Sequence, residues 1–211
     1  TSVRGYDVKR EVVCFWGWWA GATQDHEAKV DLKGRMTVLD ETPGTHGVRW
    51  SKTFDYAIHD HSDAGTPPRY VLRDRKWKEI RMLRDNAGLR ETLSNYAVSP
   101  REFFTFTDDA GEDLNCWMMK PTDFDPEKQY PVYVAIYGGP GVNTVNDSWG
   151  GTTFYWHNLL CQEGYIVVSC DPRGTPKRGR DFEHSTYLQL GKLETEDFID
   201  LAEHLSAKDY I

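Results

Sequence analysis

No run of apolar residues in this sequence approaches the roughly 18 that a bilayer-crossing helix needs, and no basic, apolar, small-residue leader opens it. It begins at Thr1, so the natural N-terminus, with any targeting signal, is expected to lie outside these residues. Cysteine is scarce: Cys14, Cys116, Cys161 and Cys170 stand far apart, with no Cys-x-x-Cys pair. That spacing points away from a zinc site and a dense disulfide framework and toward small core side chains, leaving the redox compartment open. Positive charge is also in deficit, 25 Lys and Arg against 33 Asp and Glu, for a formal net charge of −8. Nucleic acids are held by clustered Lys and Arg that release counterions, so no nucleic-acid partner is expected, and an anionic membrane surface is disfavoured likewise.

What is present reads as globular. Hydrophobic residues make up 39% and aromatic residues 13%, and the 27% of charged residues are not gathered in one block. The 211 residues suit two partial domains, since a domain usually runs to about 100–200 residues. Residues 1–98 alternate short apolar runs (VVCFWGWW, KVDLKGRMTVL, FDYAIHDHS, RYVLRD) with Gly and Pro turn signals at Lys33-Gly34, Thr42-Pro43-Gly44 and Gly65-Thr66-Pro67-Pro68. This spacing predicts antiparallel sheets. A short helix over 86–96 and the boundary at Ser99-Pro100 follow, because the residue before proline avoids the α region.

Residues 99–211 change character. REFFTFT and LNCWMMKP, flanking the polar turn 108–113, predict a hairpin, and PVYVAIY and YIVVSC read as parallel strands buried on both faces. Phe154 to Glu163 predicts a helix closing at Gly164. Phe198, Leu201, Ala202 and Leu205 fall on one face of a last helix, and right-handed crossovers would set the strands side by side.

Ligands of such sheets meet the loops at the carboxyl ends of the strands, where PVYVAIY runs into Tyr137-Gly138-Gly139-Pro140-Gly141. The glycines let the backbone turn sharply and approach a substrate, Pro140 stiffens the exit, and Tyr137 can present a phenol that donates at neutral pH. A donor aimed at a developing oxyanion would stabilise acyl transfer. The same residues also suit a plain glycine-rich turn behind an ordinary core tyrosine.

The run YPVYVAIYGGPG (130–141) and the stretch EGYIVVSCDPRGTPKRGRDFEHSTYLQLGKLETEDFIDLAEHL (163–205) resemble the α/β-hydrolase domain of the prolyl oligopeptidase family, especially its dipeptidyl peptidase IV branch. GTHGVRWSKTFDYAIHDHSDAGTPPRYVLRD (44–74) resembles the last propeller blades of that branch. The resemblance implies a mixed fold: antiparallel β-propeller blades over 1–98, then the first half of an α/β-hydrolase domain over 99–211. It further implies that Tyr137 supplies an oxyanion-hole hydroxyl and that Pro140 lines the substrate site. A Ser, Asp, His triad in that chain order is implied too, its serine in a Gly-x-Ser-x-Gly elbow. The sequence holds no such elbow, and the nucleophile is expected just past Ile211, which would leave these residues inactive alone.

By the same resemblance the intact protein is a serine exopeptidase releasing dipeptides from peptides with proline or alanine at the second position. No metal or cofactor is implied, a homodimer is common among relatives, and an extracytoplasmic, periplasmic location is favoured. An endopeptidase, an acylaminoacyl peptidase and a non-catalytic peptide-binding module are the alternatives.

Other candidates read as structural. Ser148, in Asn146-Asp147-Ser148-Trp149-Gly150, imitates the elbow but lacks its first glycine and the strand leading into it. His59 and His61 alternate onto one strand face within His59-Asp60-His61-Ser62-Asp63, where a propeller strand explains them better than a metal does. Trp16, Trp18 and Trp19 are expected to fill a core between blades, and His204 to face solvent off the last helix's apolar stripe. Arg173 is expected to fix its loop through an Asp or Glu rather than meet a substrate carbonyl, and Glu194, Glu196 and Asp197 to complement a helix dipole.

Overall fold

The computed structural model describes residues 2–211, which divide into two compact units. One holds the residues up to Asn95 together with the short segment Asn146–Trp149, and the other holds Tyr96–Val145 and Gly150–Ile211.

The first unit consists of two four-stranded antiparallel meanders. Strands β1 (Ser2–Asp7), β2 (Val12–Gly17), β3 (His26–Asp31) and β4 (Met36–Val38) form one sheet. Strands β5 (Thr45–Trp50), β6 (Tyr56–Ser62), β7 (Arg69–Asp74) and β8 (Glu79–Arg84) form the other, followed by a short helix, α1 (Ala87–Leu93). The alternation in the sequence becomes alternation of burial: in β6, Ala57 and His59 are buried while Tyr56 and Ile58 are exposed. The tryptophans depart from expectation. Trp16 and Trp18 are half-buried in an edge-to-face pair, 5.9 Å between centroids, and Trp19 is exposed at the end of its run. Trp18 and Trp19 lie past the end of β2, in the turn after Gly17, where strand alternation no longer directs side chains to a core.

The β3–β4 and β7–β8 hairpins are built on one plan. The Asp31 carboxylate accepts the backbone N–H groups of Lys33 and Arg35, at 2.9 and 3.0 Å, and the Asp74 carboxylate accepts those of Lys76 and Lys78, at 2.8 and 2.9 Å. Each turn then needs one left-handed residue. Gly34 fills it in the first hairpin, with φ 78°, and Trp77 fills the same place in the second, with φ 67°.

In the second unit β9 (Glu102–Thr107) and β10 (Asp113–Met119) make the expected hairpin. With β11 (Val132–Val134) and β12 (Ile166–Asp171) they form a mixed sheet in the order β11-β12-β10-β9. Helix α2 (Gly151–Gln162) is the crossover that brings β11 and β12 together in parallel. It ends in a Schellman motif: Gly164, at φ 86°, donates to the Cys161 carbonyl and Tyr165 to that of Leu160. Helices α3 (Arg180–His184) and α4 (Leu193–Ser206) complete the unit. All six residues of β12 are buried. Its alternate residues Ile166, Val168 and Cys170 meet Phe106, Leu114, Cys116 and Met118 from the hairpin and Leu201 and Leu205 from α4 in one core. All four cysteines are buried and free. Cys116 lies directly opposite Cys170, and contact with that thiol, then burial, push the Cys170 pKa well up, as befits a packing residue.

Three expectations for this unit need correction. The strand read from PVYVAIY spans only Val132–Val134, and Tyr133 and Ile136 are exposed, because among the described residues β11 pairs on one side only, with β12. On α4, Phe198, Leu201 and Leu205 pack on the core as expected, but Ala202 is exposed, and Glu194 and Asp197 are buried on the same helix. His204 is not left to solvent but packs on Phe106, 5.2 Å between ring centroids.

Candidate active site

Because β11 and β12 run parallel, their carboxyl ends open on the same edge of the sheet. Beyond β11, the Ala135 N–H still donates to the Val168 carbonyl, at 2.8 Å, and the Ser169 hydroxyl donates to the Ala135 carbonyl, at 2.7 Å. The chain then leaves the sheet at Ile136 and Tyr137 and turns through Gly138, at φ 78°, and Gly141, at φ 82°. A side chain on either glycine would be strained in that left-handed conformation. Tyr137 is 60% exposed, and Pro140 is exposed beside it.

The return of this loop is fixed from below by Asp171, the last residue of β12. Its Oδ1 accepts the Thr144 N–H at 2.6 Å, the Thr144 hydroxyl at 2.9 Å and the Val145 N–H at 3.2 Å, and its Oδ2 accepts the Asn143 amide at 2.9 Å. Burial pushes this carboxyl's pKa up, and the four donors pull it back toward the ionised form. The sequence expectation for Arg173 did not extend to Asp171, two residues before it. The available signal was a charged residue closing an otherwise apolar strand, which requires partners when buried.

Arg173 follows at once. Its backbone N–H donates to Asp197 Oδ2 at 2.6 Å and its Nε to Asp197 Oδ1 at 2.7 Å, with Asp108 and Glu196 each at 3.5 Å. Asp197 is fully buried, and burial pushes its carboxyl up while the bonds from Arg173 pull it down. This forked pair ties the loop after β12 to α4, as expected for Arg173, and gives Asp197 a part that a helix-dipole reading does not.

The prolyl oligopeptidase family profile matches residues 152–211. A probable dipeptidyl peptidase 4 of Emericella nidulans is 30% identical over the whole of this chain, and the human dipeptidyl peptidase 8 is 32% identical over 84% of it. The crystal structure of Porphyromonas gingivalis dipeptidyl peptidase 4 superposes on the entire chain with a TM-score of 0.95 at 33% identity. The chain belongs to the prolyl oligopeptidase family. It spans 28% of the length of the Emericella protein, 20% of the human one and 30% of the Porphyromonas chain. A further match, to a putative dipeptidyl aminopeptidase IV from Bacteroides ovatus, has a TM-score of 0.85 at 28% identity. The antiparallel blades and the mixed, helix-flanked sheet are thus those of a propeller and a partial α/β-hydrolase, in the dipeptidyl peptidase 4 type of this family.

Other residues of this prolyl oligopeptidase segment lie elsewhere. Ser148 sits in the short stretch that belongs to the first unit, where the Asp147 carbonyl accepts from Thr45, its carboxylate accepts the Ala64 N–H, and the Trp149 N–H donates to Ser62. It is not at a strand-to-helix elbow. His59 and His61 do leave one face of β6, and His46 from β5 joins them, so that Asp40, His46 and His59 bring potential ligand atoms within 4.8 Å of one another. The hydrogen bonds define one proton arrangement. Arg73 Nε donates to His59 Nδ1 at 3.0 Å, His59 Nε2 donates to His46 Nδ1 at 2.9 Å, and His46 Nε2 donates to the Thr42 carbonyl at 2.8 Å. The Arg73 guanidinium lies 3.5 Å from Asp40 and brings a positive charge to the same cluster. Burial, then Arg73, lowers the His59 pKa to about 3.

Proposed function

We propose that these residues are the oxyanion-binding part of a serine-type dipeptidyl peptidase. The observation that carries the reading is the exposed Tyr137 phenol, held at the carboxyl end of β11 on a glycine-rich turn whose return is fastened by Asp171. In the intact enzyme the phenol donates to the oxyanion that forms when a serine attacks the scissile carbonyl. A donor fixed before reaction needs no reorganisation as that charge develops. Pro140 lines the substrate site on the same turn. Peptides with proline or alanine at the second position are the substrates, dipeptides are released from their free N-termini, and the enzyme acts as a homodimer.

The sequence holds no Gly-x-Ser-x-Gly, so the nucleophile comes from chain outside these residues, and the 211 residues alone are inactive. The test is product analysis with the intact protein. Gly-Pro and Ala-Pro chromogenic amides should be cleaved and silenced by a serine-directed phosphonate, while the same amides with a blocked N-terminus should survive. Cleavage of blocked substrates would indicate an endopeptidase or acylaminoacyl peptidase, and peptide binding without cleavage a non-catalytic module.

A further inference from the structure

The groove between the β3–β4 and β7–β8 hairpins differs from the rest of this acidic chain. It encloses about 670 Å³, within the range of small-molecule sites. Lys29, Arg35, Arg75 and Lys76 line it with a single carboxylate, Asp31, although the whole chain carries a formal net charge of −8. Asp31 is committed to Arg35, at 2.7 Å, which leaves three cationic heads. Lys29 donates to the Arg75 carbonyl at 3.0 Å and lies 4.5 Å from the centre of the Trp50 ring, and Arg75 meets Asp55 only at 3.9 Å. The Lys76 ammonium has no ion-pair partner among the described residues. A groove lined by an excess of cations favours an anionic guest.

A second observation comes from the repeat. At the left-handed position of the turn the first hairpin has Gly34, whereas the second has Trp77, a bulky residue where glycine fits without steric cost. The shared hydrogen bonds of the two turns do not require an indole. The ring packs against Trp50 and His59 and also lines the groove, beside Val38 and Leu39.

We propose that this groove binds a small molecule bearing a phosphate or sulfate monoester on an apolar or ring-shaped body. Three terminal oxygens meet the heads of Lys29, Arg75 and Lys76, the arginine through a fork of N–H groups and the lysines as point charges. Val38, Leu39 and Trp77 receive the body. A carboxylate, with two oxygens and one charge, satisfies fewer of these groups.

The experiment is calorimetric titration of the full-length protein with phenyl phosphate and phenyl sulfate, against benzoate and phenol as controls. Saturable binding of at least one ester is expected, weakened by salt and at least about tenfold tighter than that of either control. The stronger ester identifies the anion. Lys76→Glu, at a solvent-facing position, should lower that affinity at least about tenfold with the melting temperature unchanged. Trp77→Gly, which copies the first hairpin, should weaken phenyl phosphate while leaving inorganic phosphate as before. Ester binding no tighter than phenol, an affinity indifferent to Lys76→Glu, equal phenyl phosphate affinity in Trp77→Gly, or binding of acidic peptides but not esters would each overturn the proposal.

Discussion

The Asp171 carboxylate receives the Thr144 backbone N–H at 2.6 Å, so the end of β12 fastens the loop that Tyr137 begins. Tyr137 is exposed, so its position depends on where that loop returns. Asp171 therefore acts on the proposed chemistry through Tyr137 and is a positioning residue.

Asp171→Asn tests this. The amide keeps one acceptor oxygen but turns an N–H₂ toward either the Asn143 amide or the Thr144 and Val145 donors. A buried donor left facing a donor costs about 1–3 kcal/mol. Thermal melts of the intact protein should show that loss. With the loop loosened, kcat should fall at least about tenfold while KM stays nearly constant, since misplacement by about 1 Å can cost about 10² in rate.

The Arg173–Asp197 pair predicts a different pattern. Arg173→Met leaves Asp197, fully buried, without its cation and should cost about 3–5 kcal/mol. Adding Asp197→Leu removes the stranded charge, so the double variant should be more stable than the sum of the single losses implies, by about 1 kcal/mol or more. Denaturant titrations of the four proteins of this cycle measure the coupling. Additive losses would mean that the pair does not tie the loop to α4.

The pairing partners explain how far sequence could see. The hairpin of β9 and β10, the α2 crossover with Gly164 at its end, and the buried β12 all declare themselves through neighbouring residues, by periodicity and by turn chemistry. β11 did not, because an apolar run records that side chains are hydrophobic and not whether both edges find a neighbour. Asp197 looked like a helix-start charge because its partner lies 24 residues away. His46 and His59, 13 residues apart, become a relay only when β5 pairs with β6. The assignment of Asn146–Trp149 to the first unit rests on bonds to Thr23, Thr45, Ser62 and Ala64, which no local pattern encodes. The turn that follows Tyr137 was legible because its glycine and proline chemistry is local.

Acid stability should track the buried histidines. Burial, then Arg101, lowers the His157 pKa to about 4, below the ordinary 6.5. The unfolded chain takes up the proton as pH drops through about 6.5 and the folded chain does not, so stability is lost progressively from there down to about pH 4. His157 packs on Trp117, 5.2 Å between centroids, and its buried Nδ1 has no hydrogen-bond partner among the described residues. His157→Phe should therefore leave stability at pH 7 unchanged or higher and reduce the loss between pH 6.5 and 4 by on the order of 2 kcal/mol. Unfolding curves across that range check it, and an unchanged slope would contradict it.

The most direct measurement is the kinetics of Tyr137→Phe in the intact protein with a Gly-Pro chromogenic amide. The substitution removes one hydroxyl and keeps the ring against its turn, so the melting temperature should hold. The lost donor matters when the oxyanion forms, so kcat should fall by about 10²-fold or more, equivalent to roughly 3 kcal/mol, with KM nearly unchanged. A kcat within about twofold of the parent, together with a lowered melting temperature, would make Tyr137 a packing residue and contradict the account.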